Sequence, residues 1–588
     1  MTTQVETGIT GITAYGANNR CAFINSRGLK DYYIFYRDTD VNGDHSVHYE
    51  YSTGASFTGK TIVIDFGNVA TNNGWCHDFD VIWAEDSANS QTEVWVVAIG
   101  YDGDAAAWQS KYVRGTIADA SSTISWGTVQ TIDAALSANL AGTPANDPYC
   151  ISLERTDNGR IVVCFTEDTT NKGKDYRVPK CIGSDGDGAS PSWSGETTIW
   201  DPTGNNAHQD MWKIFYSLDH YSSTYGDRIA GFMNRQDANA GGNHELAGFY
   251  IDWDGSTMTV DPPDTIVTNS VAGAWYKFSA VIDDEDILRG FYVIQATSTP
   301  NLYYLRAFTA GDSGNVLRFD TGLSPTTNFD ALLCFLDDGP SSDVPTSDEA
   351  SGSWTASSGS DLYAMVDEGF PETTSDYIST TTNNDVVRLG GFSGGITHVI
   401  VTSEVSTQGS VTMTVDTYKS GVLVENLVTN VTLENPAVGT GVSYCYWTTD
   451  HDWNEIRIAV SGLTTETVQI FSVYAGGPRL YGYAHDASDT VDAQYLYVAS
   501  AFIQWSDSVS PEAVTGRFEA SDTYDHSFHF DVQALSSSRH VVENQICMAM
   551  LQSNNLYWNI IPTHTALSTT LADLEFPDQN YYLGPHST

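Results

Sequence analysis

The segment Asp38-Thr39-Asp40-Val41-Asn42-Gly43-Asp44 sets carboxylate and amide oxygens at alternate positions on a glycine-sharpened loop. Oxygen donors at that spacing suit a hard cation, and Ca2+ is the expected ion, with Asp38, Asp40, Asn42 and Asp44 as its ligands. The EF-hand register would ask for a glutamate where Tyr49 stands, and the loop joins two strand-like runs, Tyr32 to Tyr36 and Val47 to Tyr51. Its expected setting is therefore a hairpin tip, and an Asp-rich tip without metal is the alternative reading. Asp185 and Asp187 form a smaller acidic pair of the same kind. Glycoside hydrolysis needs two carboxyls at a set separation, but 74 acidic residues single out no pair. No H-E-x-x-H and no dinucleotide fingerprint occurs, so no catalytic residue is assigned. His45/His48 and His526/His529 stand three apart, which on a strand turns the two side chains to opposite faces. Aromatics at loop tips offer a different chemistry. Trp75, Trp108, Trp253 and Trp453 are candidates to stack on the C–H faces of sugars, with packing between sheets as the alternative.

Charge and cysteine usage narrow the setting. The 588 residues carry 74 acidic against 26 basic side chains, a formal net charge of −48. Self-repulsion on that scale is tolerable where salt screens it, so a high-salt environment is expected. No basic patch exists to neutralise phosphates, which excludes nucleic acid as a partner. The opening residues hold no basic and apolar signal-peptide pattern, and no apolar window reaches the length of a membrane span. The eight cysteines show no CxxC pairing. Cys150 and Cys164 flank the turn Thr156 to Gly159 and either face one another across a hairpin or stand as buried thiols.

These side chains must be positioned by strands. Val, Ile, Thr and aromatic runs punctuated by Gly, Asn and Asp predict an all-β chain. Five units can be aligned between residues 20 and 325, each opening on an apolar strand such as Cys21 to Ile24, Phe79 to Trp83 or Tyr276 to Val281. Three further strands follow in each. The phrase Ser192 to Asp201 closes one unit and is echoed at Ser56 to Asp65 and Ser125 to Asp133. Four antiparallel strands repeated at near-regular spacing predict a β-propeller of five blades, with six as the alternative count. Ser184, Asp185, Gly186, Asp187, Gly188 and Trp193 form a stretched version of the turn S-x-D-x-G-x-x-W, and in this the region resembles the sialidase-like, Asp-box propellers. That resemblance implies a fold and no catalytic residue, because Arg20, Arg27 and Arg37 lack the neighbours of a sialidase arginine motif. The strand Leu332 to Phe335 is expected to close the ring.

Residues 336–361 turn to Ser, Asp, Gly and Pro, a linker composition. Beyond it, runs such as His398 to Val401 and Val468 to Tyr474 predict a jelly-roll-type β-sandwich. Trp354, Leu362-Tyr363, Asp367-Glu368 and Asp376 to Ile378 resemble small sandwich domains on the fibres and decoration proteins of tailed viruses. The expected division is a propeller over 1–340, a sandwich over 341–480 and a β-rich assembly domain over 481–588. Asn430-Val431-Thr432 is a lone glycosylation sequon. Together these features imply a homo-oligomeric virion structural protein (spike, turret or tail fibre) of a haloarchaeal virus. It would sit on the virion surface with other virion proteins and bind a host cell-surface glycan or glycoprotein. The alternative is a glycoside hydrolase with a propeller catalytic domain and a sugar-binding sandwich.

Overall fold

A computed structural model describes residues 2–9, 20–39, 45–53, 56–69, 72–136, 150–171, 174–200, 216–220, 227–236, 244–268, 276–282, 288–294, 302–307, 317–320, 329–337, 343–367, 376–395, 398–407, 410–433, 442–448, 452–476, 479–486, 494–500, 515–519, 532–537, 545–552 and 555–562. Among them regular structure is β throughout, apart from one 3₁₀ turn at Tyr363–Met365.

Among the described residues the propeller strands fall into seven antiparallel blades, the first two joined into one nine-stranded sheet by a parallel contact of His45 with Trp75. Blade 1 runs Ala22–Ile24, Tyr32–Thr39, His45–Ser52 and Phe57–Ile64. Blade 2 runs Trp75–Asp86, Gln91–Asp102 and Ala107–Ala118, with an outer strand split into Ser125–Trp126 and Gln130–Leu136. Blade 3 holds Ile151–Arg155, Ile161–Asn171, Lys174–Gly183 and Thr197–Thr198. Blade 4 holds Tyr216–His220, Arg228–Gln236, His244–Trp253 and Met258–Thr268, and blade 5 Tyr276–Ile282, Leu288–Ile294, Leu302–Ala307 and Leu317–Asp320. These are the five units predicted from the sequence; the opening residues Trp212 to Phe215 of the fourth lie outside the described residues. Inner and middle strands are covered on both faces by neighbouring blades, so Gln91–Asp102 is buried almost throughout. The outer strand Phe57–Ile64 is largely exposed until its last two residues.

Two more blades come from the far end of the chain. Phe329–Asp337 pairs with Arg479–Asp486, in unbroken register from Ala331 onward, and Gln494–Ser500 and Thr515–Glu519 complete blade 6. Blade 7 combines Val532–Ser537, Gln545–Gln552 and Asn555–Pro562 with the first strand, Thr2–Thr7, which pairs antiparallel with Asn555–Pro562. Inner strands of successive blades neighbour one another from blade 2 to blade 7, and blade 7 in turn abuts blade 1. The ring is thus closed by a strand from residues 2–7, and Leu332 to Phe335 is an inner strand of blade 6, a correction to its expected role. The strands after residue 479 likewise belong to the propeller and do not form a separate assembly domain.

The sandwich is an insertion between the first and second strands of blade 6. One sheet orders Ser347–Ala350, Asp385–Gly390, Glu455–Ser461, Thr412–Lys419 and Val422–Thr432. The other orders Thr355–Ala356, Ile378–Thr380, Val468–Ala475, His398–Val405 and Val442–Trp447. A shared core of Leu389, Val401, Met413, Tyr444, Ile458 and Val473 holds the sheets together. Its neck is tied where Asp343 and Ala475 exchange backbone hydrogen bonds of 2.7 and 2.8 Å. A sequence reading in chain order separates residues that only this long-range pairing joins.

Candidate functional site

Blades 1, 2 and 3 meet at a buried charge cluster. Asp80, mid-way along the inner strand of blade 2, is fully buried. It accepts hydrogen bonds from the Arg20 amide (2.7 Å), Arg20 Nη2 (2.9 Å), Ser152 Oγ (2.8 Å) and the amides of Val81 and Leu153 (both 3.0 Å). Arg20 also donates to Glu154 at 2.6 Å and to the Leu153 carbonyl. Burial works against the Arg20 charge, yet the fields of Asp80 and Glu154 outweigh it and hold its pKa above the ordinary range. A carboxylate this fully engaged has no lone pair left for proton transfer, so the cluster fastens three blades.

The Asp-box-like turn is also a fastening. The Asp185 amide donates to the Ser192 carbonyl at 2.9 Å, and its side chain accepts the Ser192 amide at 2.8 Å. Asp187 Oδ2 is held by Arg155 Nε at 2.7 Å. The turn docks on blade 2, where Trp95 Nε1 and the Tyr112 hydroxyl donate to the Asp187 and Gly188 carbonyls at 2.8 and 2.9 Å. Each carboxylate thus holds a protein donor on one oxygen.

Burial sorts the four candidate aromatics. Trp253 is 3% exposed; its ring lies over Gly183, where a Cβ would come within 2.5 Å, and its Nε1 donates to the Ser184 carbonyl. Trp453 is 1% exposed, donates to the Gly395 carbonyl at 2.9 Å and packs on Phe392 in the sandwich core. Trp108 is 5% exposed, within the core between blades 2 and 3. These three are corrected from sugar contacts to packing residues, because neighbouring sheets cover the faces a sugar would need.

Trp75 differs. It is half-buried, begins the inner strand of blade 2 and stands opposite Tyr101, which in turn stands opposite Trp108. Directly opposed residues of antiparallel strands share a face, so the three rings form a row whose Trp75 and Tyr101 members reach solvent. The blade 1 to blade 2 crossover beneath them is pinned. Lys111 pairs with Asp102 (2.6 Å), donates to the Asp65 carbonyl (2.7 Å) and lies over the Phe66 ring at 4.7 Å. The amides of Gly74 and Gly103 donate to the Gly67 and Phe66 carbonyls. Gly74 admits no side chain, since a Cβ would meet the Gly67 carbonyl at 2.2 Å.

The Asp38 loop lies at the same end, for His45 pairs with Trp75 across the blades. Asp40, Asn42 and Asp44 lie outside the described residues. Asp38 is buried, with one oxygen accepting the Thr39 amide at 2.7 Å and the other paired with Lys60. Lys60 also reaches Glu6 at 3.6 Å. Among the described residues no group of three His, Cys, Asp or Glu is placed to hold a metal. Cys150 and Cys164 are buried and not bridged to one another; Cys164 stands opposite Ser152 and Cys181, two residues away from the position that faces Cys150.

Neither a phosphate loop nor a nucleophile elbow is expected from the sequence, yet two short stretches match their spacing and are explained by their setting. Gly54-x4-Gly59-Lys60-Thr61 matches the phosphate-loop spacing, but Gly59 to Thr61 lie within the strand Phe57–Ile64 and Lys60 is paired with carboxylates. Gly391-Phe392-Ser393-Gly394-Gly395 matches the nucleophile-elbow spacing, yet it is a sandwich loop with no strand-to-helix turn. The Gly395 carbonyl accepts from Thr448 and Trp453, which anchors that loop to the core. The signal the sequence did hold for a surface site was an aromatic, Trp75, beside a turn; the Tyr101 partner becomes visible only with strand register.

No protein-family model matches the chain, and no curated protein matches it. Among solved structures the chain is similar to a xylan beta-1,4-xylosidase from Bacillus halodurans C-125, at 10% identity and a TM-score of 0.29, covering 79% of this chain and 99% of that one. It is similar to the Hadza microbial sialidase Hz136, at 11% identity and TM-score 0.30 over 55% and 63% of the two chains. The alpha-L-arabinofuranosidase ARB93A from Fusarium graminearum matches at 7% identity and TM-score 0.30, over 66% and 94%. The propeller assignment rests on the chain's own strand order.

Proposed function

We propose that this chain is a virion surface protein, a spike, turret or tail-fibre component of a virus of halophilic archaea, whose propeller attaches to a host cell-surface glycan or glycoprotein. The observation that carries the attachment reading is the half-buried Trp75–Tyr101 pair on a crossover pinned by Lys111, a preorganised apolar platform. The hub carboxylates favour binding over hydrolysis, since Asp80 is saturated by protein donors. A net charge of −48 supports the saline setting. Calcium at Asp38, Asp40, Asn42 and Asp44 belongs to the same reading and would displace Lys60 from Asp38.

Titration of the full chain against solubilised host-envelope glycans in molar salt tests this. Binding is expected, weakened about tenfold by Trp75→Ala with the melting temperature kept. Weaker binding in the presence of a calcium chelator is expected if the loop holds the ion. Absence of binding, or binding indifferent to Trp75, sinks the attachment reading. Release of reducing sugar would turn the assignment to a carbohydrate-active enzyme.

A further inference from the structure

We propose that Asn430 is a site of N-linked glycosylation. Asn430-Val431-Thr432 is the only N-x-S/T triplet in the chain. Ser and Thr make up about a fifth of the residues and Asn is frequent, so about six such triplets would fall by chance.

The one that is kept stands where a transferase can reach it. It lies in Val422–Thr432, the outermost strand of its sandwich sheet, which pairs on one side with Thr412–Lys419. Register slips there, Met413 facing Val431 and Val415 facing Val428, so that Thr429 and Asn430 bulge out of the ladder. Asn430 takes a left-handed backbone, φ 56°, and is exposed, as is Thr432. Buried Val428 and Val431 anchor the bulge on either side, and the Asn430 amide donates to Thr414 Oγ1 at 3.1 Å. Side chain and hydroxyl are thus presented together from a fixed backbone.

The transfer takes a polyprenyl-phosphate-linked oligosaccharide as co-reactant. The Asn430 side-chain nitrogen bonds to the sugar anomeric carbon, the bond from that carbon to the phosphate oxygen breaks, the lipid phosphate leaves and the amide proton passes to a base of the transferase. The product has a use in this fold. The strand's free edge carries Val422 at 67% exposure and Leu423 at 52%, an invitation to pair with another chain. A glycan on the bulge shields the Asn430 end of that edge.

The full chain, produced in an archaeal host that N-glycosylates its envelope proteins, is digested with trypsin and the peptide Ser420–Arg457 is weighed. A glycan mass on that peptide is expected, absent from Asn430→Gln and Thr432→Ala and retained in Thr432→Ser. An unmodified wild-type peptide overturns the proposal, and so does a mass that survives Asn430→Gln. Both positions are exposed, and unchanged melting temperatures would confirm that the variants fold.

Discussion

At the scale of single residues, tryptophan burial separates fastening from recognition. Trp253 fills the space above Gly183 and satisfies its indole N–H on the Ser184 carbonyl, so its removal leaves a cavity between blades 3 and 4. Trp253→Ala is expected to cost about 3–5 kcal/mol in chemical denaturation, whereas Trp75→Ala should change stability little. Glu50 gives a pH signature. Burial raises its carboxyl pKa, and the hydrogen bond that Tyr36 donates to it at 2.6 Å opposes the shift only in part. A raised pKa in the fold means the folded chain binds that proton more tightly than the unfolded one. Its contribution to stability is therefore present below the ordinary carboxylate pKa and is lost as pH rises through the folded value. Glu50→Gln should flatten that decline and leave the variant the more stable one at neutral pH, as read from urea midpoints across a pH series. A wild-type slope in the variant would assign the decline to other groups.

At the scale of elements, closure rests on Thr2–Thr7. The strand supplies the outer edge of blade 7, and Glu6 reaches across to Lys60 of blade 1, where Asp38 also binds. Deleting residues 2–9 leaves the backbone edge of Asn555–Pro562 unpaired and cuts the seam between the first and last blades. A clear fall in melting temperature is expected, together with early proteolysis within blade 7. An unchanged melting curve would mean that inner-strand packing alone closes the ring. The sandwich is attached differently. Its neck is a two-residue bridge, Asp343 with Ala475, inside a blade whose strands remain paired around it. Insertion at a point where the two ends of the inserted segment lie side by side costs the host sheet little, which explains how blade 6 tolerates about 140 residues between its first two strands.

At the scale of the whole molecule, charge dominates. With a net charge of −48, the melting temperature is expected to rise steeply with NaCl or KCl as screening relieves self-repulsion, and a flat profile would remove the high-salt reading. By itself the sequence determined the all-β class, the first five blades and the sandwich, because strand periodicity and turn residues are local properties. It also read Asp38 as the start of a hairpin loop, whereas the strand Tyr32–Thr39 runs on through it and pairs it with Ser46. Only the tertiary structure decided that Phe329–Asp337 waits until residue 479 for its partner, that residues 2–7 finish the last blade, and that Trp108, Trp253 and Trp453 are sealed between sheets while Trp75 is not. Those outcomes depend on which distant backbone edges meet and which faces they cover. Composition at one position holds no record of the segment, hundreds of residues away, that will lie against it.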